Sequence, residues 1–185
     1  MSLLPVVKYD DPTLRSKVDE VTDFSNIESL IDDMFDTMYH ESGIGLAANQ
    51  VGVKLAILVF DIGEHEIEED KEVIGELFSD PKIFINPLIV ESAGECSMEE
   101  GCLSVPEIRA EIIRAETIIL QYDDMDQNAH SETFSGLSAR VLLHEIDHLN
   151  GKFFTDYLSP SKRMLIQKRL KEISLTGTPT TGIIL

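Results

Sequence analysis

Residues 144 to 148 read His144-Glu145-Ile146-Asp147-His148, a spacing that can hold a metal ion. On a helix the two histidines, four residues apart, share one face with Cβ atoms about 6 Å apart, within reach of a single ion. Glu145 then stands beside that ion as an acid or a base. The surrounding pattern supplies the helix: Leu137, Val141, His144 and His148 recur at three- and four-residue spacing, and Asn150-Gly151 gives a helix-ending signal. Two ordinary histidines on an amphipathic helix produce the same letters, so the reading turns on a third ligand.

Downstream of His148 that ligand is missing. In the metzincin pattern a third histidine stands six residues after the second; Gly151 matches that pattern, but Phe154 occupies the ligand position. In the thermolysin-like arrangement a glutamate comes from a following helix, and Gln167 and Lys168 stand there instead. Glu172, the nearest carboxylate, would need a slip of about one helical turn to reach the metal. Upstream, Glu100-Gly101-Cys102-Leu103-Ser104 places a cysteine in a glycine-containing bend, ahead of an isoleucine-rich run at 111–122 that reads as strand. A thiolate and two imidazoles leave one coordination position open, as a catalytic metal requires. Cys102 reads as well as a small buried apolar side chain, the common fate of a free cysteine. Cys96 lacks the glycine context and reads as a strand or core residue.

The segment from Gly43 to Gly52 holds three glycines and two alanines, a composition suited to tight turns and to close approach of another backbone. Phosphate cradling is excluded, because no Lys-Ser or Lys-Thr follows the glycines and no strand precedes them. Gln50 brings a neutral amide that could donate to a developing oxyanion. In chain order, GIGLAANQ, EGCLS and HEIDH resemble without a gap the peptide deformylase motifs GxGxAAxQ, EGCxS and HExDH. Pro106, Arg109 and Asn150-Gly151 also resemble that family's context, whereas 61–80 is longer and more acidic than is common in it.

The resemblance implies a metal-dependent hydrolase that removes the N-formyl group from the formyl-methionine of newly synthesised polypeptides, releasing formate. It implies Cys102, His144 and His148 as metal ligands, Glu145 as general base and then general acid, and the Gln50 amide with the Leu103 backbone N–H as oxyanion donors. It places Ile44, Gly45 and Gly101 against an extended substrate that adds to the chain like a strand. Leu137 and Val141, two turns and one turn before His144 on the same face, read either as the wall of a methionine pocket or as plain core. One divalent ion per chain is expected: the donor set suits zinc and does not exclude iron. The resemblance favours Fe(II), with Zn(II), Ni(II) or Co(II) as substitutes. An HExxH metallopeptidase and a non-enzymatic metal-binding homologue are the alternatives.

These residues need a frame. A helix is expected over 27–40, where Ile27, Leu30, Ile31, Met34 and Met38 form an apolar stripe, followed by strands at 55–61, 82–90, 111–122 and 131–134 before the metal helix. Such clustering predicts an α+β fold: largely antiparallel β-sheets packed around a central metal-binding helix, with N- and C-terminal helices. The 185 residues, 43% hydrophobic, read as a single catalytic domain over 1–185, with 176–185 a flexible tail.

A net charge of −19 argues against general nucleic-acid binding, which needs clustered lysine and arginine. The stretch 61–80, with nine acids and one lysine, reads as a solvated loop, and His40, His65 and His130 as surface residues. Lys162, Arg163, Lys168, Arg169 and Lys171 reverse the sign locally. Two readings fit them: a helix that contacts the ribosome, or a helix docked through Ile166, Leu170 and Ile173 with solvated charge around its other faces. No stretch is long and apolar enough to cross a membrane, and the start resembles neither a signal nor a transit peptide, so a cytoplasmic address is expected. Two cysteines fit a reducing compartment.

Overall fold

The apolar stripe of 27–40 forms helix α1, Glu28–His40, which buries Ile31, Met34 and Met38, with Ile27 at its N-cap. The computed structural model describes residues 2–63, 80–178 and 183–184. Most of the acidic stretch, with His65, lies outside the described residues, as do 179–182 and 185 of the tail.

Strands β1 (Gly45–Ala47), β2 (Ile57–Phe60), β3 (Lys82–Ala93), β6 (Thr117–Asp123) and β7 (Ala129–Ser135) form an antiparallel sheet in the order β1-β2-β3-β6-β7. Strands β4 (Cys96–Cys102) and β5 (Val105–Arg114) make an antiparallel hairpin, to which β8 (Ile183–Ile184) adds in parallel beside Ile108 and Arg109. The result is α+β and largely antiparallel, as expected.

The expected strand 111–122 is two strands in different sheets. The chain turns at Ala115 and Glu116 between β5 and β6. Periodicity could not show the break, because Ala110, Ile112 and Arg114 before it and Ile118 and Leu120 after it are all buried at even positions. The chain therefore changes sheet without changing the parity of its inward face. The bend expected around Cys102 is the end of β4, whose Ser-Met-Glu-Glu-Gly centre has little β-propensity and is held by pairing with β5.

Helix α2, Gly136–Leu149, packs against β1, β2, β6 and β7 and buries nine of its fourteen residues, as a central helix must. It stops where Asn150-Gly151 predicts: Gly151 has φ +73°, and a Cβ there would meet the Arg15 carbonyl oxygen at 2.7 Å. Helix α3, Pro160–Thr176, starts at a Ser159 cap with proline in its first turn, and docks through Ile166, Leu170 and Ile173. Among the described residues no helix is long and apolar enough to cross a membrane.

Candidate metal centre

Two elements carry the expected ligands. Helix α2 presents His144 and His148 side by side, with ring centroids 5.0 Å apart, and the end of β4 brings Cys102 to them. The three ligand atoms lie within 4.8 Å of one another, and Cys102 Sγ is 3.1 Å from His148 Nε2. Bonds of about 2.0–2.3 Å from one tetrahedral ion would set such donors about 3.5 Å apart, so the arrangement fits a metal. The two histidines are buried, so the ion would sit at the inner end of the site.

Electrostatics favour a cation there. Burial works against charge on His144, yet Cys102 and Glu100 outweigh it and push its pKa well above the ordinary value. The field that would hold a proton at this ring would hold a metal ion as well. Burial and the charge of His144 push His148 the other way, toward the neutral imidazole that ligates metals. His148 Nδ1 has no hydrogen-bond partner among the described residues.

His144 is aimed from behind. Its Nδ1 lies 2.8 Å from Glu100 Oε2, which leaves Nε2 to face the site. Glu100, 5% exposed, also accepts from Arg114 Nε at 2.6 Å and from Arg140 Nη1 at 2.7 Å, while Arg114 reaches Asp147 at 2.5 Å. Burial alone would raise the Glu100 pKa, but His144 and Arg114 hold it far below the usual carboxylate range. Glu100 and Asp147 lie inside motifs, as unassigned letters of EGCLS and HEIDH. Arg114 and Arg140 carried no signal in the sequence, since arginine on a strand or helix normally reads as solvated.

Glu145 is buried beside the ligands, with Oε2 unpartnered among the described residues. Burial pushes its carboxyl up to about 7, with His144 opposing, so it is poised to exchange a proton near neutrality. A Cβ on Gly45 would lie 2.6 Å from Val141 Cγ1 and 2.9 Å from Glu145 Oε1, so only glycine lets β1 pass this close to the carboxylate. Gln50 is fixed at its other end: its Oε1 accepts from the Ala47 N–H at 2.8 Å, and Nε2 turns toward Cys102 Sγ at 3.7 Å and Ser104 Oγ at 3.5 Å. One amide donor is thereby directed at the centre.

A cleft of about 630 Å³ opens over these groups. Ile44, Gly45, Gln50, Gly101, Cys102, Leu103, Leu137, Val141, His144 and Glu145 all line it, while His148 lies beneath with no exposed surface. The residues that the resemblance assigns to metal, catalysis and substrate therefore stand at one place. Strand β1 is the edge of its sheet; its first residue, Gly45, and the preceding Ile44 line the cleft, while the Ala47 N–H is taken by Gln50. The remaining histidines stand apart: His40 is exposed at the end of α1, and His130 pairs with Asp124 at 2.7 Å on β7. Cys96 lies partly buried at the start of β4.

A family model described as polypeptide deformylase matches residues 3–164. The chain is 46% identical over 178 residues to the peptide deformylase of Zymomonas mobilis, covering 95% of this chain and 97% of that one. It is 42% identical over 179 residues to that of Christiangramia forsetii, covering 93% and 90%. Its fold is similar to the crystal structure of peptide deformylase from Ehrlichia chaffeensis in complex with actinonin, with a TM-score of 0.83, 40% identity, and coverage of 95% and 100%.

Proposed function

The chain belongs to the peptide deformylase family, metal-dependent hydrolases that remove the N-formyl group from nascent polypeptides, and from that premise we propose how its residues divide the work. The observation that carries the proposal is the meeting of Cys102, His144 and His148 with the Glu145 carboxylate and the Gln50 amide in one cleft. Cys102, His144 and His148 would hold one divalent ion, which supplies the Lewis acidity that activates water and polarises the formyl oxygen. Glu145 takes a proton from the attacking water and returns it to the departing amine nitrogen. The Gln50 Nε2 and the Leu103 backbone N–H donate to the oxygen as charge develops on it. Gly45 at the start of β1 and the preceding Ile44, with Gly101, pair with the extended substrate, and Leu137 and Val141 form one wall of the methionine pocket. The whole chain, 1–185, acts as one catalytic domain, and its proposed address is the cytoplasm.

Fe(II) is the ion we assign in the cell, on the strength of the family resemblance, with Zn(II), Ni(II) or Co(II) as substitutes that the thiolate and imidazole donors also accept. Protein prepared anaerobically with Fe(II) is expected to release formate from a formyl-Met-Ala-Ser peptide, and chelation to abolish the release. Folded, metal-loaded protein that releases none would redirect the proposal to another amide. Cleavage of an unformylated internal peptide would point to a metallopeptidase, and failure to take up metal to a non-enzymatic homologue.

A finer partner reading concerns α3. Its apolar stripe is buried, and Lys162, Arg163, Lys168, Arg169 and Lys171 spread over its remaining surface, with Arg163 also 3.2 Å from Asp156. Contact with ribosomal RNA where nascent chains emerge would use these charges. Replacing Lys162, Arg163 and Arg169 by glutamine should reduce co-sedimentation with ribosomes at low salt; unchanged co-sedimentation would remove this reading.

A further inference from the structure

Leu103 and Ser104 are the two turn residues between β4 and β5, with Cys102 paired to Val105 across them. Two-residue hairpin loops favour turns that need positive φ at one or both central residues, because those match the twist of the strands. Neither Leu103 nor Ser104 has positive φ. The turn that follows a metal ligand and carries a proposed oxyanion donor is therefore not held by its own backbone preference.

It is held from outside. The segment at residues 7–9 crosses both oxyanion elements: the Val7 N–H donates to the Gln50 carbonyl at 2.7 Å and the Tyr9 N–H to the Ser104 carbonyl at 2.8 Å. Between them Lys8 Nζ donates to the Leu103 carbonyl at 2.9 Å. Two of these contacts are main-chain bonds that many sequences could make. The third is a charge-assisted bond made by a half-buried lysine that lines the cleft.

We propose that Lys8 is a positioning residue for deformylation: its ammonium, pinned to the Leu103 carbonyl, holds the Leu103–Ser104 turn so that the Leu103 N–H faces the formyl oxygen as charge develops. This rests on the assignment of that N–H as an oxyanion donor. Such a donor acts mainly in the transition state, so its misalignment lowers kcat and leaves substrate binding nearly unchanged.

Lys8→Met should lower kcat for formate release about tenfold, a fraction of the hundredfold or more that loss of an oxyanion donor costs. KM should change less than twofold, and metal content should stay at the wild-type value. Lys8→Arg, which can still reach the carbonyl with a charged donor, should restore most of the rate. Amide hydrogen exchange at Leu103 and Ser104 should quicken in Lys8→Met and return toward wild type in Lys8→Arg. Wild-type kcat in Lys8→Met would overturn the proposal, as would a loss carried by KM or by reduced metal content. Exchange is read without turnover, so inactive wild-type protein would count against the deformylase assignment, whereas active wild-type protein with unchanged exchange in Lys8→Met would count against Lys8 alone.

Discussion

Glu145→Gln is expected to bind one metal ion per chain, keep its fold and release formate about a thousandfold more slowly than wild type, within the range that loss of a general acid–base residue produces. The substitution keeps the volume of the side chain and removes only its capacity to carry a proton. Glu145 is 4% exposed, its Oε2 has no partner among the described residues, and burial pushes its carboxyl up to about 7. An acid whose pKa is raised on folding costs stability at any pH above its unfolded value, so the neutral amide should leave Tm at neutral pH unchanged or higher. On the proposed reading the wild-type residue would serve activity at some expense to stability. Measured kcat, metal content and Tm together test this. A variant with more than a tenth of wild-type activity would assign the proton transfer elsewhere, and a variant without metal would make Glu145 a structural part of the site.

Glu100→Gln should have the largest effect on stability. The carboxylate stands between Arg114 and Arg140 in a buried cluster, and removing its charge leaves Arg114 paired with Asp147 and Arg140 with no ion-pair partner among the described residues. Breaking such a buried pair typically costs about 3–5 kcal/mol. His144 Nδ1 also exchanges a carboxylate partner for a neutral amide, and disturbing such an outer partner weakens metal binding by about 10- to 100-fold. The pH dependence follows from the sign of the shift. The folded pKa of Glu100 lies far below its unfolded value, so its contribution is fully present above roughly pH 5 and fades as the pH falls through the ordinary carboxylate range and below. Wild-type and variant unfolding free energies, measured with urea, should therefore differ most at neutral pH and converge in acid. A gap under about 1 kcal/mol at pH 7 with unchanged metal affinity would contradict the role assigned to Glu100.

The sequence shows the site more readily than the frame. The metal centre was legible because its parts carry spacing: two histidines one helical turn apart, a cysteine set among glycine and serine, and a glycine run that ends at Gln50. The frame was legible where periodicity was continuous, as in α1, α2 and α3, and failed where physical signals coincided. The β5–β6 break was hidden by shared parity, and β4 by an acidic, glycine-containing stretch whose pairing is decided by its neighbour. Arg114, Arg140 and Lys8 were illegible for a different reason. A charged side chain on a surface-like pattern shows its purpose only when the fold reveals what stands within 3 Å of it.

Strand β1 is three residues long, stands at the edge of its sheet and meets the cleft at Gly45. An open sheet edge invites any extended chain, including another copy of the same protein, and long edges of this kind lead to aggregation. Here the invitation is kept brief by length and is recessed beside α2, where Val141 and Glu145 leave no room for a side chain at Gly45. On the proposed reading, main-chain groups common to every polypeptide would let one short edge receive a whole proteome of beginnings without becoming a seed for clumping.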